Sequence, residues 1–364
     1  MLSITTRAAV VTLFVLALAA CQPAPAPSAA APPQAPNAGG SPAGAADSPA
    51  AAAGGEAASA AATAPVSLEI GQLPPAAFQW PSYVAMDKGF YAAQALEPEV
   101  VQIGTPNDAA RAAVSGSVPI AHFSVDAAVR AIEGGGDLVV VGSEIANPAF
   151  SLIVQPEVRD YADLRGKALA VSTPKDGAAV VLRLMLRAKG LTDGDYDFAS
   201  VGTTPNRYTA LKTRAAEGAI MTQPLDFVAI DDGYKLLGRS TDVLQHFMFM
   251  SVSANRSWAR DHRDVLVRYM RGLGAAVDWL YDPANKDEAI DILARHTNTE
   301  RSAVARTYEV YIEQGKVVPQ HAAVPVEGLQ EYLNAMIELG DLPGPTADPA
   351  RYIDLSYVQA AEGT

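Results

Sequence analysis

Short apolar runs rich in β-branched residues recur at 66–70, 98–103, 120–123, 138–142, 151–155, 168–172 and 219–222, with helical patterns between them. Strands separated by helices return to the same edge of a sheet and pair in parallel, so this alternation predicts an α/β fold built from βαβ units. One helix is expected over 107–114, where Asn107 is placed to cap it and Asp108 adds negative charge to its first turn. Another is expected over 178–188, with Val181, Leu182, Met185 and Leu186 on one face. Beyond residue 260 the pattern turns helical. Val265, Leu266, Tyr269, Met270, Leu273 and Val277 share a stripe within 261–280, and 287–295, 300–314 and 326–339 predict further amphipathic helices.

No Pro/Gly-rich linker separates these two parts. The apolar segments 151–155 and 247–253 bracket what reads as a complete α/β unit, and they are expected to be crossings between two lobes. The expected division is 66–153 with 247–344 as lobe 1, 154–246 as lobe 2, and 345–364 as a C-terminal tail.

The N-terminus has a different character. Arg7 followed by the apolar stretch 8–18 and small residues reads as an export signal over 1–20, too short to span a bilayer comfortably. Its end, Leu18-Ala19-Ala20-Cys21, resembles the bacterial lipobox, which implies acylation of Cys21 and an envelope location facing the periplasm or the cell exterior. Two acyl chains anchor stably where one is marginal. Cys21 is the only cysteine, so the folded part has no internal disulfide, thiolate metal site or catalytic thiol. Residues 22–65 are almost wholly Ala, Pro, Gly and Ser, a composition that cannot bury a core and predicts a disordered tether over 21–65. As a flexible coil it would reach roughly 35 to 40 Å. The formal net charge of −13 argues against nucleic acid as a partner. About 300 residues remain, enough for two ordinary domains.

Pro81-Ser82-Tyr83-Val84-Ala85-Met86-Asp87-Lys88-Gly89-Phe90-Tyr91, a few residues after the first strand, resembles a segment of the nitrate, sulfonate, taurine and thiamine-precursor family of ABC-transporter substrate-binding proteins. Leu164-Arg165-Gly166-Lys167 is similar to that family's entry into the second lobe, and Ala210-Leu211-Lys212 with Glu217-Gly218-Ala219-Ile220-Met221-Thr222-Gln223-Pro224 to a later motif. The resemblance runs over roughly 66–340. It implies a periplasmic-binding-protein-like fold of type II, two lobes joined by two hinge crossings that close on a small-molecule solute. It also implies a permease and its ATPase as partners, a monomer, and no cofactor. Relatives often carry Gly-Ser or Gly-Thr at the first helix of the second lobe, whereas this chain has Gly177-Ala178. The missing hydroxyl argues against inorganic anions and sulfonates. Within the sulfonate-, taurine- or pyrimidine-type solutes of the family, recognition by aromatic stacking and amides instead of a ring of arginines favours a neutral or zwitterionic organic molecule, such as a planar pyrimidine.

In open parallel sheets ligands sit beyond the carboxyl ends of the strands, at helix N-termini. After the first strand that rule selects Gln72, Phe78, Gln79 and Trp80, the rings either stacking on ligand or packing under their loop. Ser124 is a ligand contact or a helix cap, and Asn147 a ligand contact or a turn residue. In the second lobe Thr173, Lys175, Gly177 and Ala178 are candidates, Lys175 being equally readable as a solvated surface charge. By resemblance, Thr222, Gln223 and His246 complete the facing wall. The five histidines show no i, i+2 or i, i+4 pairing, so no metal site is expected, and neither a phosphate-cradling Gly-x-x-x-x-Gly-Lys nor a Gly-x-Ser-x-Gly turn is present. The chain is therefore expected to bind rather than catalyse. A receptor lipoprotein presenting ligand to a sensor or envelope partner is the alternative, and a pyrimidine-synthase-like enzyme a more distant one, since that branch's cysteine-rich segment is absent.

Overall fold

The first three apolar strands are each followed by a helix, as that alternation requires. The computed structural model describes residues 64–244 and 246–363, so the export signal, Cys21 and the tether through residue 63 lie outside the described residues, as does Gln245. In chain order come β1 (Val66–Gln72), α1 (Trp80–Asp87), β2 (Leu96–Gln102), α2 (Pro106–Ser115), β3 (Ile120–Ser124), α3 (Val125–Glu133) and β4 (Leu138–Ile145). The next block holds β5 (Ser151–Val154), β6 (Ala168–Val171), α4 (Gly177–Arg187), β7 (Asp197–Ser200), α5 (Thr204–Lys212), β8 (Gly218–Met221), α6 (Leu225–Asp231) and β9 (Lys235–Arg239). The chain then returns through β10 (Met250–Asn255) and finishes in α7 (Arg256–Asp261), α8 (Arg263–Tyr281), α9 (Lys286–Thr297), α10 (Arg301–Tyr308), α11 (Val326–Glu338) and α12 (Ser356–Glu362).

These strands make two separate five-stranded sheets, ordered β2-β1-β3-β10-β4 and β7-β6-β8-β5-β9. At the centre of the first, β1 pairs in parallel with both β2 and β3, so Ile70 faces Val100 on one side and Ile120 on the other. The second repeats the scheme, with β6 parallel to β7 and β8. Each sheet also takes one strand that runs the other way. β10 is antiparallel to β3 and β4, and β5 is antiparallel to β8 and β9.

Sheet membership moves the lobe boundary from its expected place. The segments 151–155 and 247–253 were expected to be the crossings, yet β5 lies inside the second sheet and β10 inside the first. Their apolar character reflects burial on both sheet faces. The crossings are the short stretches that precede them, 146–150 and 240–249. β7 and β9 escaped the sequence reading because they are edge strands, part exposed and carrying polar residues. The cap of α2 is Thr105, whose hydroxyl accepts from the Asp108 amide at 3.2 Å, with Pro106 opening the helix; Asn107 falls inside the first turn. The helix expected over 300–314 is α-helical only to Tyr308 and continues as a wider π-turn over Glu309–Gln314. The segment 345–364 is expected to be a tail, but its described residues, 345–363, lie on lobe 1: Ile353 bridges Val140 of β4 in parallel, and α12 packs on α8.

Beneath α1 the first lobe buries a connected polar group. Ser82 Oγ donates to Glu144 Oε1 at 2.6 Å, Glu144 Oε2 lies 2.7 Å from His122 Nδ1, and the Tyr269 hydroxyl lies 2.7 Å from His122 Nε2. All four side chains are fully buried. The chain of contacts ties α1 to β3, β4 and α8, and so fixes the helix that anchors the loop at 73–79. Glu144→Leu would strand Ser82 and His122 without their shared acceptor, and removing one member of such a buried pair typically costs ~3 kcal/mol or more. Urea unfolding of the variant should show a correspondingly lower midpoint at unchanged slope.

Candidate functional site

The carboxyl ends of the parallel strands of both lobes open onto one cleft with a cavity of about 140 Å³. β1, β2 and β3 deliver the loop at 73–79, the start of α2 and Ser124; β6, β7 and β8 deliver 172–178, 202–207 and Thr222. A cavity of about 150 Å³ accommodates benzene, so this one has room for a group of about one ring.

One wall is aromatic. Phe78 from the loop, Phe150 from the first crossing and Phe249 from the second pack edge-on or tilted, with centroid separations of 5.3, 5.2 and 4.9 Å. The loop that holds Phe78 is stapled by Gln79, whose Nε2 donates to the Leu73 carbonyl at 3.1 Å while its Oε1 accepts from the Ala76 amide at 3.1 Å. Its amide is thus spent on shape. The opposite wall is polar and built on α5. Arg207, 3% exposed, donates to Ser172 Oγ at 2.9 Å and Thr204 Oγ1 at 2.6 Å. Its Nε is buried without a partner. Burial lowers the Arg207 guanidinium to about 10, opposed by the charge of Asp176. Asp176 itself is occupied as the cap of α4, accepting from the Ala179 amide at 3.0 Å.

Of the side chains singled out by sequence, Phe78, Gln79, Ser124, Thr173, Gly177, Ala178 and Thr222 line this cleft. Ser124 occupies the cap position of α3 but makes no capping hydrogen bond; its Oγ is buried with no close partner, the nearby Asp126 carboxyl being the group it acts on. The others lie elsewhere. Trp80 points away into the core, its indole N–H donating to the Ala289 carbonyl at 3.0 Å and its ring edge-on to Tyr308. Gln72 is buried at the end of β1 outside the lining, with Nε2 unpaired. Lys175 is exposed to solvent. Gln223 is a strut: it donates to Asp226 Oδ2 at 2.9 Å, accepts from the Tyr311 hydroxyl at 3.1 Å, and its carbonyl accepts from the Ala77 amide of the Phe78 loop at 3.3 Å. Asn147 and His246 border a separate hollow by the crossings, with Lys316 and Glu327.

Phe150, Phe249 and Arg207 were not anticipated. For Arg207 a signal existed: Thr203-Thr204-Pro205 is a helix-start pattern, and Arg207 follows Thr204 at i+3. It went unread because the polar strand β7 before it was not recognised. Among the described residues, no helix is long and apolar enough to cross a membrane, and no group of three or more His, Cys, Asp and Glu is placed to hold a metal ion.

Two parallel-centred sheets linked by two crossings, with a cleft at their strand ends, are the architecture of the type II periplasmic binding proteins. The chain belongs to the family described as NMT1/THI5 like, whose model matches residues 79–286. Among solved structures, the periplasmic nitrate-binding protein NrtA from Synechocystis PCC 6803 superposes with a TM-score of 0.68 at 15% identity, over 83% of this chain and 87% of that one. The alkanesulfonate-binding protein SsuA from Xanthomonas axonopodis pv. citri, bound to MOPS, gives 0.66 at 18% identity, over 80% and 99%. A curated Haemophilus influenzae protein, named for thiamine biosynthesis, is 30% identical over 154 residues, 41% of this chain and 48% of the relative. The match thus spans about half of that relative's length.

Closure of the two lobes depends on Gly177. A Cβ there would fall 2.6 Å from Asp126 Oδ1, 2.8 Å from Phe249 Cε2 and 2.9 Å from the Tyr332 hydroxyl, all on lobe 1 or its crossing. Gly177→Val should hold the lobes apart with little effect on either core. Small-angle scattering should report a larger radius of gyration, and solute affinity should fall by roughly tenfold or more, since only the closed fraction binds tightly.

Proposed function

We propose that this protein is the solute-capturing component of an ABC import system, binding a small organic molecule between its lobes and handing it unchanged to a membrane permease and its ATPase. The observation that carries the reading is the cleft itself: a ring-sized space at the strand ends of both lobes, with Phe78, Phe150 and Phe249 meeting where loop and crossings converge. Aromatic rings held edge-on present an apolar wall suited to a ligand with a flat or apolar body. The family membership and the binding functions in the names of the structural neighbours support capture over chemistry. Acylation of Cys21 would hold the protein at the envelope surface, the tether giving the lobes reach toward the permease.

Thermal unfolding of the full chain against a panel of pyrimidines, aromatic and aliphatic acids, sulfonates, amino acids and nitrate tests the reading. A solute at a hundred times its dissociation constant should add about 2.7 kcal/mol, a shift of several degrees. Phe78→Ala should abolish the shift, and cells lacking the gene should lose uptake of the same labelled solute. No shift from any solute, in protein freed of carried-over ligand by refolding, would sink the import reading.

A further inference from the structure

Building on the solute-capture reading, we infer that the cleft selects a small monocarboxylate with an apolar, ring-sized body, its carboxylate held by Arg207 and Ser124 and its body seated on the phenylalanine wall. The charge balance of the cleft leads to this. Arg239, another part-buried arginine of lobe 2, has Asp226 Oδ2 at 3.2 Å as its counter-ion. Arg207 is more deeply buried and has only neutral hydroxyl partners, with Nε bonded to nothing. The nearby carboxylate of Asp176 acts on Arg207 through its charge but gives its hydrogen bonds to the Thr173 and Ala179 amides. A buried cation with no carboxylate in direct contact is costly, and the group best able to offset it is one that arrives with the ligand.

The geometry of donors narrows the anion. A guanidinium presents flat two-donor edges that match the two oxygens of a carboxylate. Ser124, across the cleft on lobe 1, supplies a second buried polar atom with no close partner, 2% exposed, so the two groups lie on opposite lobes. A ligand bonded to both would lock the lobes together. One cation matches one negative charge, and Phe78, Phe150, Phe249 and Ala178 offer the body of the ligand an apolar wall. A carboxylate differs from the neutral or zwitterionic solute expected from sequence: charge recognition, for which Gly177-Ala178 offers no hydroxyl, would come from α5.

The test is calorimetric titration of the refolded full chain with benzoate, nicotinate and cyclohexanecarboxylate, each beside its amide, and with benzenesulfonate and nitrate. At least one acid should bind, and its amide about 30-fold or more weaker. Arg207→Gln should remove that preference, Arg207→Lys should restore part of it, and Ser124→Ala should weaken the acid several-fold without changing the unfolding midpoint of the free protein. Equal binding of acid and amide would overturn the inference and leave the import reading intact. So would binding of benzenesulfonate or nitrate with no binding of any acid, or stabilisation by other solutes of the wider panel alone. If no solute of any class binds, it is the import reading that fails.

Discussion

Phe78, Phe150 and Phe249 bring together three segments: the loop after the first strand and the two crossings. Each ring contributes about 1.5–3 kcal/mol by burial, and each edge-on contact on the order of 0.5–1.5 kcal/mol more. Their main effect is positional. The cluster fixes how the crossings leave one sheet and enter the other, and so sets where the opposing strand ends lie. It also keeps water from one side of the cleft, which strengthens any charge interaction on the other side.

The arrangement divides labour between residues that shape the cleft and residues that face into it. Gln79 and Gln223 carry amides that sequence alone would assign to a ligand, yet both are consumed by scaffolding. Tyr311, in the π-turn after α10, stacks near Phe78 and donates to Gln223, so the C-terminal helices reach through the loop to the second lobe. Among the residues that line the cleft, Arg207 Nε and Ser124 Oγ are the buried side-chain atoms left without a close hydrogen-bond partner.

Much of the fold was legible because burial on both faces makes central parallel strands apolar, as in β3 and β8, and because the long α8 carries a regular stripe. The edge strands β7 and β9 were not, since half-exposed strands of mixed composition resemble loops. The site was legible where strand order dictates it: the ends of β1, β3, β6 and β8 gave Phe78, Ser124, Thr173 with Gly177, and Thr222. It failed where direction matters more than position. Trp80 and Phe78 lie two residues apart in sequence, and one enters the core while the other faces the cleft, because α1 begins between them. Arg207 was missed with β7, the strand that delivers it.

β10 sits between β3 and β4, yet well over a hundred residues separate it from β3. During synthesis the second sheet is complete once β9 has been made, whereas the middle of the first sheet stays vacant until residue 255 emerges. Until then the facing edges of β3 and β4 offer unpaired backbone to any passing strand. Lobe 2 is therefore a contiguous insertion able to fold early, and lobe 1 a two-piece assembly whose last central strand also pulls the second crossing, and Phe249 with it, into place. The binding cleft cannot come into existence before β10 has been made.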